Sequence, residues 1–535
     1  MSLARNTAVI GGLTLISRVL GFARDLLIAA AMGAGPVADA FFAALRFPNL
    51  FRRLFAEGAF SQAFVPVYAK TLAEKGPEEA DRMANEALAV LLVITAALTA
   101  IAVAAMPWIN LVLFAGYVDD PQAFRLATLL TQLTMPYLMA MSVATLFSGV
   151  LNARGKFFVA AAAPILLNLC LLVGVWPFQR DAVQAAIAAA VSVSVSGVLQ
   201  AAWVWAGAQR AGAHGAIKAP RITANVKRIA ALAVPGAIAG GALQINVMVS
   251  QILASYEEGA IAFLNVADRL YQMPLGLIGI AVGVAMLPRL SRLVQEGDAP
   301  GAKAALDDAV ALSMAFTLPA AAAMLAIPFF IIDGLFSRGA FTADDARNTA
   351  LALTHYGWGV PAFVLARVYA PAFFAREDTR APMRYAIVSM ALNIGLGAAL
   401  FFGLRALGVA GFPGLAIATS AAAWLNVGLM IRSLSKRNAY GPTRAAYARL
   451  ARVGLASGTL FLLLFLAGSQ RATLEALLGG KEMAIAAVIG VGGVVYFVCA
   501  FLFRAVTISE VRAAFRRERG PAGAGSGGLP GGFDG

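Results

Sequence analysis

The sequence predicts an all-α polytopic membrane protein with fourteen transmembrane helices, arranged as two six-helix lobes and two further C-terminal helices. Of the 535 residues, 60% are hydrophobic and 13% are charged, with a mean hydropathy of +0.78, so a single soluble core could not bury the apolar surface. The apolar segments run for about 20 to 30 residues, enough to cross about 30 Å of hydrocarbon as helices. They lack the alternation of a membrane β-barrel.

Fourteen apolar segments follow one another along the chain. Only Arg5 precedes the first of them and no small-residue cleavage site is found there, so we expect this segment to stay as a helix and not to be removed as a signal peptide. The tail from Gly520 is rich in Gly, Pro and Ser and is expected to be disordered. The segment centres lie near residues 18, 53, 97, 138, 168, 195, 238, 278, 318, 360, 392, 421, 456 and 493.

An internal repeat relates the first six segments to the next six. Pro48 corresponds to Pro274 and Asn168 to Asn393, and such landmarks recur at a nearly constant offset of 221 to 226 residues. Because this offset spans an even number of helices, both lobes enter the membrane from the same side and the repeat is parallel. The predicted units are an N-lobe with helices 1–6 (1–215), a C-lobe with helices 7–12 (216–435), helices 13 and 14 (436–510), and a basic end with a disordered tail (511–535).

The basic residues predict the orientation of the chain. If alternate loops are assigned to opposite sides, 28 of the 42 Lys and Arg fall on the side that holds both termini, seven fall on the other side, and seven lie within the segments. The positive-inside rule then places both termini in the cytoplasm. The net charge of +14 is mostly an orientation and anionic-lipid signal, so we expect membrane lipids as neighbours and no nucleic-acid partner.

No pattern in the sequence predicts a metal site, a disulfide or a bound cofactor. Cys170 and Cys499 both lie in apolar segments, and His214 and His355 are far apart in the sequence. The chain has no phosphate-binding Gly-x-x-x-x-Gly-Lys-Ser/Thr loop, so ATP is not expected to drive it directly.

Five arginines stand in the first two apolar segments, where a lipid-buried helix should avoid charge. A guanidinium at the middle of a membrane helix costs roughly 2.5 to 3.5 kcal/mol even on lenient insertion scales, so five of them need a shared anionic or aqueous environment. Because the guanidinium is a planar fork that stays charged and holds phosphate in a bidentate manner, the cluster predicts a phosphate or pyrophosphate ligand. These residues are Arg18, Arg24, Arg46, Arg52 and Arg53.

Acidic and polar residues share helix faces with these arginines. At 100° per residue, Asp39, Arg46, Arg53 and Glu57 fall within about 40° of one another on the second helix, with Asn49 beside them. Arg53 and Glu57 are four residues apart and can pair. This stripe predicts a polar wall on the second helix.

The first helix and the C-lobe extend the polar wall. Arg18 and Asp25 share a face of the first helix, and the C-lobe adds Asp268-Arg269 and Arg367. The five arginines of the first two helices outnumber the acids there, Asp25, Asp39 and Glu57, and leave a surplus of about two positive charges. One alternative is that these charges form buried salt bridges between helices one, two and eight, and another is that Arg46 and Arg367 snorkel toward an interface.

Three segments resemble the lipid II flippase family MurJ, also called MviN: SRVLGFARD (17–25), VADAFFAALRFPNLFRRLFAEGAFSQAFVPVY (37–68) and ADRLYQMPLG (267–276). The resemblance covers essentially residues 1–510. It implies transport across the bacterial inner membrane of the undecaprenyl-pyrophosphate-linked disaccharide peptide that builds peptidoglycan. It also implies the fold of the multidrug/oligosaccharidyl-lipid/polysaccharide exporter superfamily, with a central cationic cavity and no catalytic residues.

The resemblance further implies where the substrate binds. Helices 13 and 14, about 444–467 and 482–503, form in family members a hydrophobic groove in which a polyprenyl tail could lie. Some relatives hold sodium through an acidic side chain among helices 7, 11 and 12, whereas these spans here contain only Asn246, Asn393 and Asn426, which places that site in doubt. The matching cavity arginines are Arg18, Arg24, Arg52 and Arg269, and the matching polar positions are Ser17, Asp25, Asp39, Asn49, Arg53 and Glu57.

The predicted mechanism is alternating access by a monomer: the cavity opens inward, arginines bind the pyrophosphate, and the lobes rock. The sequence does not identify a coupling ion. An exporter of another polyprenyl-linked glycan shares this chemistry, whereas a cation-coupled drug exporter would need an acidic chamber. A membrane enzyme would need converging carboxylates, and the acidic pairs at 119–120, 307–308 and 344–345 are expected to be solvated loop charges or helix-start acids.

Overall fold

A computed structural model describes residues 3–51, 60–217 and 219–505 of the chain. These residues form α-helices, a few 3₁₀ turns and no strand. The helices are α1 (Leu3–Met32), α2 (Pro36–Phe51), α3 (Ser61–Lys75), α4 (Pro77–Leu113), α5 (Pro121–Thr134), α6 (Pro136–Ala153), α7 (Phe157–Val175), α8 (Ala182–Arg210), α9 (Ala224–Ala254), α10 (Ala260–Gln295), α11 (Ala299–Ala326), α12 (Pro328–Phe336), α13 (Ala343–Gly357), α14 (Val360–Phe374), α15 (Arg380–Ala406), α16 (Phe412–Lys436), α17 (Arg444–Ser469), α18 (Arg471–Leu478) and α19 (Lys481–Leu502).

The all-α membrane fold predicted from composition is confirmed. Nine helical stretches among the described residues are long and apolar enough to cross a membrane. Thirteen of the fourteen predicted segment centres lie in described helices, and the centre near residue 53 lies outside the described residues. The count of fourteen spans therefore stays a prediction, as does disorder in the tail from Gly520, which lies outside the described residues.

Prolines interrupt equivalent helices in the two lobes. Pro136 stands at the start of α6 and Pro361 in the first turn of α14, so each lobe divides its fourth span into two helices. Proline is tolerated in a first helical turn because the N–H that it lacks has no partner there. Pro136 and Pro361 lie 225 residues apart, within the range of the repeat offset, and the structure places them at corresponding positions.

Two of the three acidic pairs noted in the sequence lie at the starts of helices, and the third does not. Asp120 accepts hydrogen bonds from the amides of Gln122 and Ala123 at the start of α5, and Asp345 completes a capping box with Thr342 at the start of α13. Asp307 is instead buried in α11 and accepts from side chains that precede α17.

A buried aspartate near the start of the third span of each lobe holds the segment that leaves that lobe. Asp81 accepts from Arg154 at 2.5 Å and from the amide of His214 at 2.9 Å, in the connector between the lobes. Asp307, at the equivalent position of the repeat, accepts from the Tyr440 hydroxyl at 2.8 Å, in the connector to α17. Within each lobe, the loops that the basic residues assign to the cytoplasmic side therefore contact one another.

Helix α9 packs against both lobes. Ile229, in its first half, lies in the N-lobe hydrophobic cluster with Phe64 and Met83. Asn246, in its second half, bonds with Asn393 of α15 at 3.0 Å. The predicted lobe boundary at residues 215 and 216 lies in the connector, but the packing passes from one lobe to the other within α9.

Candidate functional site

A polar cavity of about 380 Å³ lies between the two lobes. Its walls come mainly from α2 of the N-lobe and from α9, α10, α13 and α16. Two arginines and one aspartate give the described lining residues a surplus of one positive charge. The lining residues with polar side chains, tyrosines aside, are Arg46, Asn49, Gln244, Asn246, Ser250, Gln251, Asn265, Asp268, Arg269, Gln272 and Thr419.

Asp25 joins arginines from the two lobes. Its Oδ1 accepts from Arg24 Nε at 3.0 Å and Nη2 at 2.6 Å, and its Oδ2 lies 3.6 Å from Nε of Arg269. Arg24 stands on α1 and Arg269 on α10, so one carboxylate faces two guanidinium groups. The three charges leave a net positive charge at the interface of the lobes, where an anion would be attracted.

Packing between α1 and α7 fixes the position of Arg24. Its Nη1 donates to Oδ1 of Asn168 at 2.9 Å, and Nδ2 of Asn168 donates to the backbone carbonyl of Ser17 at 2.9 Å. Arg24 is only 8% exposed. Because both groups of the Asn168 amide are engaged, the guanidinium is held in one orientation before any ligand arrives.

Arg269 and Arg18 are more accessible than Arg24. The side chain of Arg269 is 43% exposed, lines the cavity and touches Asp25 only through the loose 3.6 Å contact. Arg18 is exposed on α1. It lies seven residues before Asp25, about 10 Å along the helix on the same face. These two arginines can therefore meet a ligand with less rearrangement than Arg24.

Arg46 lines the cavity. Its guanidinium interacts electrostatically with Asp268 and with Tyr356 across the lobe interface. Asn49 lines the same wall, one turn further along α2. Arg367 is exposed on α14 and donates to the backbone carbonyl of Leu275 in α10 at 3.4 Å. Arg46 thus lines a polar cavity with an acid nearby, which favours the predicted polar wall over the alternative that Arg46 snorkels toward an interface.

Asp39 is not among the described lining residues of the cavity, and its role in the substrate site stays a prediction. The residue is fully buried. Its carboxylate accepts from the Tyr117 hydroxyl at 2.7 Å and from the amides of Gly259 and Ala262 at 2.8 and 2.7 Å. These amides belong to the first turn of α10, whose N–H groups have no partner within the helix. Asp39 caps a C-lobe helix from the N-lobe.

Three predicted site residues cannot be placed. Arg52, Arg53 and Glu57 lie outside the described residues, so the positive surplus stands on Arg18, Arg24, Arg46 and Arg269. The sequence reasoning missed Asn168 as a site residue. Two features of the sequence could have identified it. Asn168 and Asn393 form one of the repeat pairs, and a polar residue in an apolar helix is costly.

The side chains at the position of the sodium site implied for some relatives lack the acidic group that the resemblance gives such a site. Nδ2 of Asn393 donates to Oδ1 of Asn246 at 3.0 Å, and Thr419 donates to Oδ1 of Asn393 at 3.4 Å. These neutral groups satisfy one another, with no carboxylate among them. Within the described ranges, no group of three His, Cys, Asp or Glu could hold a metal ion.

A family model and two related sequences identify the same protein family. The family model described as "Lipid II flippase MurJ" matches residues 28–504. A probable lipid II flippase MurJ from Rhizobium tropici is 40% identical over 533 residues, covering 97% of this chain and 98% of the relative. A lipid II flippase MurJ from Burkholderia cenocepacia is 35% identical over 451 residues, covering 83% of this chain and 86% of the relative.

Comparison of structures supports the same fold. A lipid II flippase MurJ in an inward closed conformation is similar with a TM-score of 0.76 and 24% identity, covering 93% of this chain and 99% of that one. An inward-facing multidrug resistance MATE transporter is similar with a TM-score of 0.64 and 15% identity, covering 79% of this chain and 94% of that one. At these identities the likeness establishes the architecture alone.

Proposed function

Since the chain belongs to the lipid II flippase family MurJ, we propose that it moves the polyprenyl-pyrophosphate-linked peptidoglycan precursor from the inner to the outer leaflet of the bacterial inner membrane. The family is one of transporters and not of enzymes. The single observation that carries the proposal is the carboxylate of Asp25, which arginines of both lobes share.

The pyrophosphate would bind by competing with Asp25 for the two guanidinium groups. Arg24 and Arg269 already converge on one anion, so a diphosphate can bridge the same groups with more negative charge and more acceptor atoms. Arg18 and Arg46 add positive charge nearby. Because the two arginines belong to different lobes, the bound anion would draw the lobes together, which couples binding to rocking.

One side of the lobe interface is closed, and this supports alternating access. We call this region the interlobe seam: Ala30, Gly33 and Asp39 of the N-lobe with Gly259 and Ala340 of the C-lobe. The amide of Ala340 donates to the carbonyl of Ala30 at 2.7 Å. A Cβ on Gly33 would approach the Ala340 carbonyl to 2.6 Å, so only glycine allows this contact.

The orientation follows from the basic loops. With both termini in the cytoplasm, the interlobe seam lies on the outer side and the cavity would receive its substrate from the inner side. The polyprenyl tail would remain in the membrane along α17 and α19, and the protein would act as a monomer. The sequence contains no phosphate-binding Gly-x-x-x-x-Gly-Lys-Ser/Thr loop, so the energy would come from the membrane potential or an ion gradient, at about 2.3 kcal/mol per charge per 100 mV.

The test measures which leaflet holds the lipid-linked precursor in a bacterium depleted of its own flippase and supplied with this chain. We expect the outer-leaflet precursor to return with the wild type and not with Arg269→Ala. Arg347→Ala is the matched control, because Arg347 is an exposed arginine that pairs with Asp344 outside the cavity. All variants must accumulate equally in the membrane.

Two results would contradict the proposal. Outer-leaflet precursor unchanged by supplying the wild-type chain would favour export of another polyprenyl-linked glycan. Full restoration by Arg269→Ala would show that Arg269 does not contribute to the binding site. A drug exporter of the same fold is disfavoured because the described lining residues carry a positive surplus, which repels organic cations.

A further inference from the structure

A second cavity, of about 430 Å³, lies inside the N-lobe among α3, α6, α7 and α8. None of its described lining residues is charged. Small side chains such as Ala144 and Ala161 form much of the wall, and five hydrogen-bonding side chains from these helices face the space. These are Ser61, Thr145, Ser148, Asn152 and Gln200.

The second cavity adjoins the arginine site along α7. Phe157, Ala161 and Pro164 line it, and Asn168 follows on the same helix face, since the spacings of four and seven residues repeat the helical turn. Pro164 lies about 6 Å along the axis from Asn168, which holds Arg24. A ligand bound by Arg24 can therefore extend into the second cavity within one turn of helix.

Several polar groups of the second cavity are available to a ligand. Ser142 on α6 donates back to the carbonyl of Leu138 at 2.9 Å, the usual way in which a hydroxyl is satisfied inside a helix. Within the ranges that the structure describes, Thr145 and Ser148 of the same helix make no such bond. Gln200 is 2% exposed, and its Nε2 donates to the carbonyl of Ser196 at 3.2 Å.

We propose that the second cavity binds the sugar that follows the pyrophosphate in the lipid-linked substrate. A sugar ring with hydroxyl and N-acetyl groups matches uncharged donors and acceptors on small-residue walls. A pyrophosphate or a peptide carboxylate would need cations that the described lining lacks. An acyl chain would leave the polar groups without partners. This inference rests on the proposed function.

The experiment compares two probes on purified full-length protein in nanodiscs: lipid II and undecaprenyl pyrophosphate, which lacks the sugars. The double variant Thr145→Val, Ser148→Ala removes two hydroxyls with little change in volume. We expect it to bind lipid II about tenfold more weakly and undecaprenyl pyrophosphate as the wild type does, since each hydrogen bond contributes about 0.5 to 1.5 kcal/mol. Gln200→Leu should act in the same direction.

Controls separate this inference from folding and from the proposed function. Gln179→Leu makes the same change at an exposed position and should leave both affinities unchanged, whereas Arg24→Ala should weaken both probes. Equal losses for both probes in the double variant, or no loss for lipid II, would overturn the sugar site while leaving the flippase proposal intact. A folded wild type that binds neither probe would overturn both.

Discussion

The two lobes contain the same asparagine contact with different partners. In the N-lobe, Asn168 of α7 holds Arg24 of α1 at 2.9 Å. In the C-lobe, Asn393 of α15 holds Asn246 of α9 at 3.0 Å. Arg24 and Asn246 lie 222 residues apart and Asn168 and Asn393 lie 225 apart, and both separations fall within the range of the repeat offset. The repeat thus preserves a polar contact but places a charge in one lobe only.

A second equivalent pair differs in charge. Arg46 of α2 corresponds to Gln272 of α10 by the offset that relates Pro48 to Pro274, and both residues line the cavity. By the same offset Arg269, the C-lobe arginine of the site, corresponds to Ala43. These equivalent positions therefore carry a charge in one lobe only, so like charges do not face one another from equivalent positions. The scaffold is symmetric and the charge pattern is not.

The largest expected effect comes from giving the N-lobe the residue of the C-lobe. Arg24→Asn should weaken lipid II binding by about 10- to 100-fold, because charge-assisted hydrogen bonds contribute about 1.5 to 3 kcal/mol. Complementation of a flippase-depleted bacterium should be lost at unchanged membrane abundance. Arg82→Asn, at an exposed arginine bonded to Glu79, is the control. Growth equal to the wild type would show that the charge difference between the lobes is irrelevant to transport.

Lysine substitutions sharpen the comparison between the two arginines of the site. Arg24 bonds in two directions, to Asp25 and Asn168, whereas Arg269 makes one contact at 3.6 Å. A lysine cannot reproduce the planar fork. Arg24→Lys should therefore lose about tenfold in lipid II affinity, and Arg269→Lys should lose less. Equal losses, measured by titration in nanodiscs, would contradict the different roles assigned to the two arginines.

Removing each asparagine tests what its contact does. Asn168→Leu should weaken lipid II binding by about fivefold, since Arg24 loses an acceptor worth about 1 kcal/mol. Asn393→Leu removes bonds to Asn246 and Thr419, and should lower thermal stability without weakening the binding of undecaprenyl pyrophosphate. Thermal unfolding measured beside binding separates the two effects. Loss of pyrophosphate binding in Asn393→Leu would make the C-lobe contact part of the site.

The smallest expected effect concerns the short loops that precede the fifth span of each lobe. The amide of Ala381 and, after it, the side chain of Arg437 hold the pKa of Asp378 below its usual value of 3.8. A carboxyl with a lowered pKa stabilises the loop above its unfolded pKa, and this contribution is lost as the pH falls through the folded pKa, below 3.8.

Hydrogen exchange checks this pH dependence. The amide of Ala381 should exchange faster as the pH is lowered below 3.8, after correction for intrinsic rates. Asp378→Asn should remove that dependence. The corresponding N-lobe loop, residues 154–156, contains no aspartate, so its amides should show no such transition. An identical transition in both loops would assign the effect to general acid unfolding.

The sequence alone predicted the membrane fold, which the structure confirms, together with a parallel repeat and a site that includes Arg24, Arg46 and Arg269. Apolar length, composition and recurring landmarks are properties of the chain itself, and burying a guanidinium in a membrane is costly in any fold. The same reasoning did not predict the partners of Asp39, because helix periodicity reports which face a residue shares and not which neighbour that face meets.

The tertiary structure decided which groups each acidic side chain contacts. Asp25 is shared by its neighbour Arg24 and by Arg269 of the other lobe, and Asp39 caps a helix that also belongs to the other lobe. Such contacts depend on how the lobes pack, since a carboxylate pairs with whichever donors surround it. Composition and periodicity determined that the chain places charge in a membrane, and the packing of the two lobes determined which charges meet there.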